Sequence, residues 1–174
     1  MSAIQFDQIT EFDRKLSLRL QFGEETVWLR HLAGLAAHSG DSWLILLVLG
    51  LIWLFGDPAR HDLAMLTIIT VLILAIFVSL MKFIFRRKRP EGDWGKIYRK
   101  TDPYSFPSDH AARATLLVVL AFAWGSPWLG FLVFVWAIVV SLSRIAMGLH
   151  FVSDVIVGAL IGFSAGILTF VVLS

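Results

Sequence analysis

The chain has 174 residues, 57% of them hydrophobic, with 15 Lys and Arg against 13 Asp and Glu. Soluble domains are about 45–50% apolar, so this composition excludes an ordinary soluble enzyme and indicates a single membrane domain. The lack of cysteine excludes a disulfide framework, a thiolate metal site and a cysteine nucleophile. Eight of the 15 cations lie between Lys82 and Lys100, and this local concentration of charge indicates a site.

The first segment of the chain is amphipathic. Ile9, Phe12, Leu16 and Leu20 recur at intervals of three and four residues, while charged residues occupy the other faces. This spacing predicts a helix that lies in the headgroup layer or docks on the rest of the protein. Residues 26–38 are too interrupted by charge to cross a membrane and predict a second segment of the same kind.

Four apolar stretches predict membrane-spanning helices, since about 20 apolar residues cross a bilayer as helix. The longest stretch divides into two antiparallel spans because Gly125, Ser126 and Pro127 are typical of a turn. The predicted fold is an all-α integral membrane bundle of about five transmembrane helices. The expected organisation is a single domain over 1–174, in which 1–40 is interfacial and 41–174 is the catalytic membrane bundle. The predicted spans are 42–56, 63–81, the two halves of 114–143, and 155–173.

A cationic cluster follows the second predicted span, at a depth where ionisable groups are costly. Lys82, Arg86 and Arg89 are four and three residues apart, so they share one face if the helix continues to Pro90. Basic residues beside a span also serve as topology determinants or headgroup anchors, which is the ordinary explanation of such a run.

Two further polar clusters flank the later spans. Residues 106–110 precede an apolar helix, where Ser108 is a natural N-cap and the free N–H groups can hold an anion. In residues 143–154, His150 and Asp154 are four apart, so their side chains can meet on a helix. Each cluster alone is explained by capping or by a satisfied polar pair. Because consecutive helices alternate in direction, all three clusters can reach one membrane face, and together they predict a phosphate pocket.

The order and spacing of these residues resemble the three-part signature of the type-2 phosphatidic acid phosphatase superfamily, which includes vanadium haloperoxidases and bacterial acid phosphatases. One position departs from the pattern, because Asp109 stands where the family usually has glycine. The matching motifs are Lys82-x6-Arg89-Pro90, Pro107-Ser108-x-His110 and Ser143-Arg144-x5-His150-x3-Asp154.

The resemblance implies a role for each motif residue in phosphate ester hydrolysis. His150 is the expected nucleophile, which forms a phosphohistidine, and Asp154 is expected to hold its other ring nitrogen. His110 is the expected general acid for the leaving group and then the base for water. The residues expected to bind the phosphate oxygens are Lys82, Arg89, Ser108 and Arg144.

The scheme requires no metal and no other cofactor. Asp93, Asp102 and Asp109 lie among cations that compete with a metal for them. The expected partners are membrane lipids and a lipid phosphate substrate, such as phosphatidate, phosphatidylglycerol phosphate, a polyprenyl diphosphate or a lipid A phosphate, and no nucleic acid. Further cations suit a diphosphate or an anionic headgroup, or hold the loop against anionic lipid; they are Arg86, Arg87, Lys88, Lys96, Arg99 and Lys100.

Two alternatives share the same residues. A haloperoxidase would hold vanadate in this cradle, but the comparable members are soluble. A non-hydrolytic transporter or binding protein would use the cations and histidines to line a path for an anion or lipid phosphate. Counting Lys and Arg in short loops places the cationic face inside the cell, whereas the resemblance implies an inner-membrane protein with an extracytoplasmic site, and we expect the latter.

Asp109 needs a partner if it lies beside a phosphate. Arg113 is four residues further along the same helical face and can pair with this carboxylate across one turn. We therefore expect Arg113 to turn Asp109 away from the pocket and to cancel part of its charge.

Overall fold

The structure is a computed structural model that describes residues 3–23, 26–91, 101–124 and 126–173. Within these ranges it contains seven helices and no strand, apart from one isolated bridge between Lys88 and Tyr104. The predicted all-α fold is confirmed. The helices are α1 (Ala3–Arg19), α2 (Val27–Ser39), α3 (Ser42–Phe55), α4 (Pro58–Phe85), α5 (Asp109–Ala123), α6 (Pro127–Ala146) and α7 (Val152–Leu173).

Three of these helices, α4, α6 and α7, are long and apolar enough to cross a membrane. A fourth crossing is available if α2 and α3, which are bent by 49° at their junction, form one span. Residues 26–38 and 42–56 form this bent pair, and the expectation that 42–56 crosses alone while 26–38 does not stays a prediction. Helix α5 has only 15 residues, so the number of five spans stays a prediction.

Helix α5 lies at the centre of the bundle and packs most closely on α7. A side chain at Gly158 would collide with the backbone oxygen of Ser108, and one at Gly162 would collide with that of Ala112. Glycine at these two positions therefore lets the two backbones touch. The result is a hydrogen bond of 2.9 Å from the Ser108 amide to the Asp154 carbonyl, which joins two of the three sequence motifs.

Helix α4 ends earlier than the sequence indicates. It stops at Phe85, and Arg86 caps it in the left-handed conformation with φ 47°. Pro90 disfavours helical conformation at the preceding residue, so the helix is also kept from continuing through Arg89. The prediction that Lys82, Arg86 and Arg89 share one helical face is wrong, because Arg86 is exposed while the other two side chains are buried.

Helix α1 docks on the amino-terminal end of α7 through polar residues. Asp13 and Ser17 are buried in this contact, whereas Phe12 and Leu20 of the expected apolar face are exposed. The Ser17 hydroxyl accepts from the Val152 amide at 2.9 Å. Of the two expected arrangements, docking on the protein is the one that the structure has, and the face that docks is the polar one.

Candidate active site

Two cations of the first motif converge on one carboxylate. Lys82, in the last turn of α4, places its Nζ 2.5 Å from Oδ2 of Asp102, and Nη2 of Arg89 lies 2.7 Å from the same oxygen. Both cations are more than 90% buried. The carboxylate therefore occupies the position in which two cations can hold one phosphate oxygen, and we call Lys82 and Arg89 the clamp.

Arg144 adds a third buried cation from the last turn of α6. Its carbonyl accepts from the amides of Leu149 and His150, so the connection to α7 folds over it. Burial lowers the pKa of Arg89, and the positive charge of Arg144 adds to this shift while Asp102 opposes it. An anion held between these two arginines relieves their mutual repulsion.

His150 is fully buried in the connection before α7. Its Nδ1 lies 2.8 Å from the Ser105 carbonyl, which only accepts, so Nδ1 carries the proton. Its Nε2 lies 3.0 Å from Nη1 of Arg89, which only donates, so Nε2 presents a lone pair. Burial, together with the positive charges of Arg89 and Arg144, lowers the pKa of His150 to about 4, while Asp154 opposes the shift. The imidazole is therefore neutral near pH 7.

Asp154 meets His150, as their spacing predicts, but at a longer distance than a hydrogen bond. Its Oδ2 lies 3.7 Å from Nδ1, whereas the Ser105 carbonyl is the near partner of this nitrogen. Helix α7 begins only at Val152, so the two residues are not on one helix as the spacing suggested. Asp154 instead accepts from the Phe151 amide at 2.9 Å and from Arg87 at 2.7 Å.

Ser108 caps α5, as the sequence predicts. Its hydroxyl accepts from the Ala111 amide at 3.5 Å, and its side chain is buried. The Ser108 amide donates to the Asp154 carbonyl, as described above, so this end of α5 is fixed against α7. The first turn of α5 therefore lies beside the clamp, where Asp109 approaches Lys82 to 3.6 Å.

His110 lies in the first turn of α5 between two carboxylates. Its Nε2 is 2.9 Å from Oδ1 of Asp41, at the junction of α2 and α3, and its Nδ1 is 3.2 Å from Oδ1 of Asp109. The ring is 5% exposed. An imidazole that donates to both carboxylates must carry two N–H protons, so the geometry suits a proton donor.

The predicted pairing of Asp109 with Arg113 is present. Nη1 of Arg113 lies 3.1 Å from Oδ2 of Asp109. The other carboxylate oxygen still faces Lys82 and His110, so Asp109 is turned aside only in part. A cavity of about 320 Å³ opens here between α3, α4 and α5; its lining includes Ser42, Ser79, Lys82, Asp102, Asp109 and Arg113.

The structure thus joins Lys82 to Arg89 through Asp102, and Arg89 to His150 and His150 to Asp154 through direct contacts. Ser108 and Arg144 are joined to them through their backbones, and His110 through Asp109. Three contributors were given no role in the site from the sequence: Asp13, Asp41 and Asp102. Arg87 was expected to face a diphosphate, a headgroup or anionic lipid, and it instead pairs with Asp13 and Asp154. The residues Asp93, Lys96, Arg99 and Lys100 lie outside the described ranges, and within those ranges no group of three or more His, Asp or Glu side chains forms a metal site.

Comparison with known proteins decides the family. A PAP2 superfamily model matches residues 63–174, which contain all three motifs. The chain belongs to the PAP2 superfamily. This is the type-2 phosphatidic acid phosphatase superfamily that the motifs resemble, and with its long apolar helices the chain is an integral membrane protein.

Relatives and a solved structure agree with this assignment. Escherichia coli YbjG, described as an undecaprenyl-diphosphatase, is 31% identical over 64% of this chain, and the match spans 57% of YbjG. The decaprenylphosphoryl-5-phosphoribose phosphatase of Mycobacterium tuberculosis is 33% identical over 75% of this chain and 72% of its own length. A transmembrane PAP2-type phosphatidylglycerolphosphate phosphatase from Bacillus subtilis shares the fold, with a TM-score of 0.78 and 21% identity over 93% of this chain and 84% of that one.

Proposed function

We propose that the protein hydrolyses the terminal phosphate of a membrane lipid, without a metal, through a phosphohistidine at His150. The observation that carries the proposal is the neutral, buried imidazole whose Nε2 lone pair faces Arg89 of the clamp. A phosphate held by the clamp brings its phosphorus next to this lone pair. The relatives named above, which are phosphatases by name, support the same chemistry.

In the first step the Nε2 lone pair of His150 attacks phosphorus, and the bond from phosphorus to the leaving oxygen breaks. The leaving oxygen takes a proton from His110, which exchanges its weaker contact with Asp109 for the substrate. Lys82, Arg89 and Arg144 neutralise charge on the oxygens that do not leave. Asp102 must yield its place on the clamp to the phosphate.

In the second step water attacks the phosphohistidine. His110, now neutral, accepts a proton from the water while the bond from phosphorus to Nε2 breaks. The electron pair returns to Nε2, and inorganic phosphate leaves. Nδ1 keeps its proton throughout and donates it in a hydrogen bond to the Ser105 carbonyl, so the imidazole returns to the same tautomer.

A lipid substrate is supported by where the cavity opens. It lies between α3 and α4, whose outer faces carry exposed apolar side chains such as Leu47, Ile76 and Leu80. A headgroup phosphate can therefore reach the clamp while its hydrocarbon tail stays in the membrane. Phosphatidate, phosphatidylglycerol phosphate, a polyprenyl diphosphate and a lipid A phosphate all fit this description, and we place the site on the extracytoplasmic face of the inner membrane.

The decisive experiment is phosphate release by the purified protein in detergent from each of these four lipid classes. We expect turnover of at least one class, retained in chelator and inhibited by orthovanadate, which imitates five-coordinate phosphorus. Chelator-sensitive activity restored by magnesium would contradict the mechanism. Binding of lipid phosphates without turnover of any class would favour a non-hydrolytic binding protein or transporter instead.

A further inference from the structure

We propose that Arg87 and Asp13 are positioning residues for the nucleophile, a role that rests on the hydrolytic function proposed above. Neither residue belongs to the three motifs, and neither contacts the clamp. They contact Asp154 and the start of α7, and neither is among the residues that line the cavity. Through Asp13, α1 takes part in positioning the nucleophile.

The side chain of Arg87 joins three elements. Its Nη1 donates to Oδ1 of Asp154 at 2.7 Å and to the Ser153 hydroxyl at 2.6 Å, and its Nη2 donates to Asp13 at 2.6 Å. The guanidinium carbon lies 4.0 Å from the ring centroid of Phe151. A guanidinium has the planar fork that these contacts require, which an ammonium lacks.

The backbone of Arg87 reaches His150 by a second route. Its carbonyl accepts from the Ser105 amide at 2.8 Å, and the Ser105 carbonyl accepts from Nδ1 of His150 at 2.8 Å. Arg87 therefore fixes the acceptor that selects the tautomer, and it also fixes Asp154, the carboxylate nearest to the same nitrogen. Both determinants of the orientation of His150 depend on this residue.

Asp13 closes the arrangement from α1. Its Oδ1 accepts from the Ser153 amide at 3.0 Å, and its Oδ2 accepts from the Ser153 hydroxyl at 2.5 Å and from Arg87. With Ser17 bound to the Val152 amide, α1 supplies acceptors for two free N–H groups of the first turn of α7. Arg87 forms ion pairs with both Asp13 and Asp154, so its guanidinium is held between two carboxylates.

The contacts of Arg87 and Asp13 affect the charge of Asp154 as well as its packing. Asp154 is completely buried, and a buried carboxylate that loses its cation takes up a proton or moves towards another donor. Either change alters what Nδ1 of His150 faces. Lys82 and Arg89 keep their contacts with Asp102 through such a change. The expected defect is therefore in the attack on phosphorus and not in phosphate binding.

The test compares Arg87→Gln, Arg87→Lys and Asp13→Asn in the full chain, with the lipid phosphate that the wild type hydrolyses. The matched control is Glu11→Gln, an exposed carboxylate two residues from Asp13 on the same helix. We expect Arg87→Gln to lower kcat about 10- to 100-fold, the range typical of residues that orient a ligand or nucleophile, with KM within about threefold. Arg87→Lys should recover part of kcat, Asp13→Asn should lose less than Arg87→Gln, and Glu11→Gln should match the wild type.

Two further measurements separate positioning from general stability. The acid-labile phosphoenzyme, measured by trapping, should form more slowly in Arg87→Gln than in the wild type. The inhibition constant of orthovanadate should stay near the wild-type value. The double variant Asp13→Asn/Arg87→Gln should be no slower than Arg87→Gln alone, because the two act through one contact. If Arg87→Gln fails to fold, Asp13→Asn and Arg87→Lys give the same comparison.

A wild-type kcat in Arg87→Gln, or a loss confined to KM or to vanadate affinity, would overturn the positioning role and leave the proposed function standing. A wild type that releases phosphate from none of the lipids overturns the proposed function itself. The two failures are therefore distinguishable in one set of assays.

Discussion

The two histidines of the site lie in opposite electrostatic surroundings. His150 has arginines and a backbone carbonyl as its near neighbours, whereas both nitrogens of His110 face carboxylates. Each is more than 90% buried, so the neighbouring protein groups decide what its two nitrogens contact. The comparison teaches that the same side chain has opposite charges around it at two places in the site, which suits the two different roles proposed above.

The cationic surroundings favour a neutral imidazole with a lone pair on Nε2, which is the form of a nucleophile. The carboxylates of Asp41 and Asp109 face the two nitrogens of His110, an arrangement that suits the general acid proposed above. The two environments also come from different parts of the chain. Motif residues supply most of the first, while Asp41, from outside the motifs, supplies the closest contact in the second.

The largest expected effect is the loss of the nucleophile. His150→Ala should lower kcat by about 10³-fold or more, because it removes the attacking atom while the clamp remains. No phosphoenzyme should be trapped in this variant, and orthovanadate should still bind. The control is His31→Ala, which removes an exposed histidine on α2. A rate near wild type for His150→Ala would mean that another group attacks phosphorus.

A smaller effect is expected from the anionic side of the comparison. Asp41→Asn keeps an acceptor for Nε2 of His110 but removes its charge, so we expect kcat on a lipid phosphate to fall about tenfold. The loss should shrink with p-nitrophenyl phosphate, whose leaving group needs little protonation. Asp57→Asn is the matched control, since Asp57 also precedes an apolar helix but is exposed. Equal losses on both substrates would argue against proton donation through His110.

The difference between motif and non-motif residues also limits what the sequence can predict. The long spans follow from uninterrupted apolar runs, and the pairing of Asp109 with Arg113 follows from local helical spacing. The contacts of Asp41 with His110 and of Asp13 with Arg87 join residues 69 and 74 positions apart, and no local period indicates them.

Helix ends were also beyond the reach of periodicity. The end of α4 depends on the left-handed conformation of Arg86, and the start of α7 on contacts from Ser17 and Asp13. The motifs therefore name residues that lie close together, whereas their arrangement depends on tertiary partners. His150 shows this, because its near acceptor is a backbone carbonyl that no motif contains.

The rate of reaction between pH 7 and pH 5 tests the effect of the cations around His150. Because the pKa of His150 is lowered from 6.5 to about 4, its neutral form persists as the pH falls and is lost only near pH 4. Between pH 7 and pH 5 we expect the rate of phosphoenzyme formation from p-nitrophenyl phosphate to fall by less than about twofold, whereas an unshifted imidazole would lose more than about tenfold. The groups that face His150 are Arg89, Arg144, Asp154 and the Ser105 carbonyl.

The smallest expected effect concerns Asp109, which stands between the two environments. One carboxylate oxygen pairs with Arg113, and the other faces both Lys82 and His110. This second oxygen competes with a phosphate for Lys82, and it competes with the leaving group for the proton on Nδ1 of His110. We therefore expect Asp109→Gly to keep kcat within about threefold and to lower KM by about two- to fivefold, with Asp109→Asn, which retains the side-chain volume, behaving in the same way.

Arg113 sharpens this prediction because it is anchored independently of Asp109. Its Nη2 donates to the Gly40 carbonyl at 3.2 Å, so it remains in place when the carboxylate is removed. Arg113→Ala alone should raise KM, since the freed carboxylate can turn fully towards Lys82, and adding Asp109→Gly should reverse most of that increase. Steady-state kinetics of the single variants and the double variant decide the matter. Loss of activity in a folded Asp109→Gly protein would instead give this carboxylate a direct part in proton transfer with His110 or in headgroup recognition, because removing a mere competitor of the substrate cannot slow the reaction.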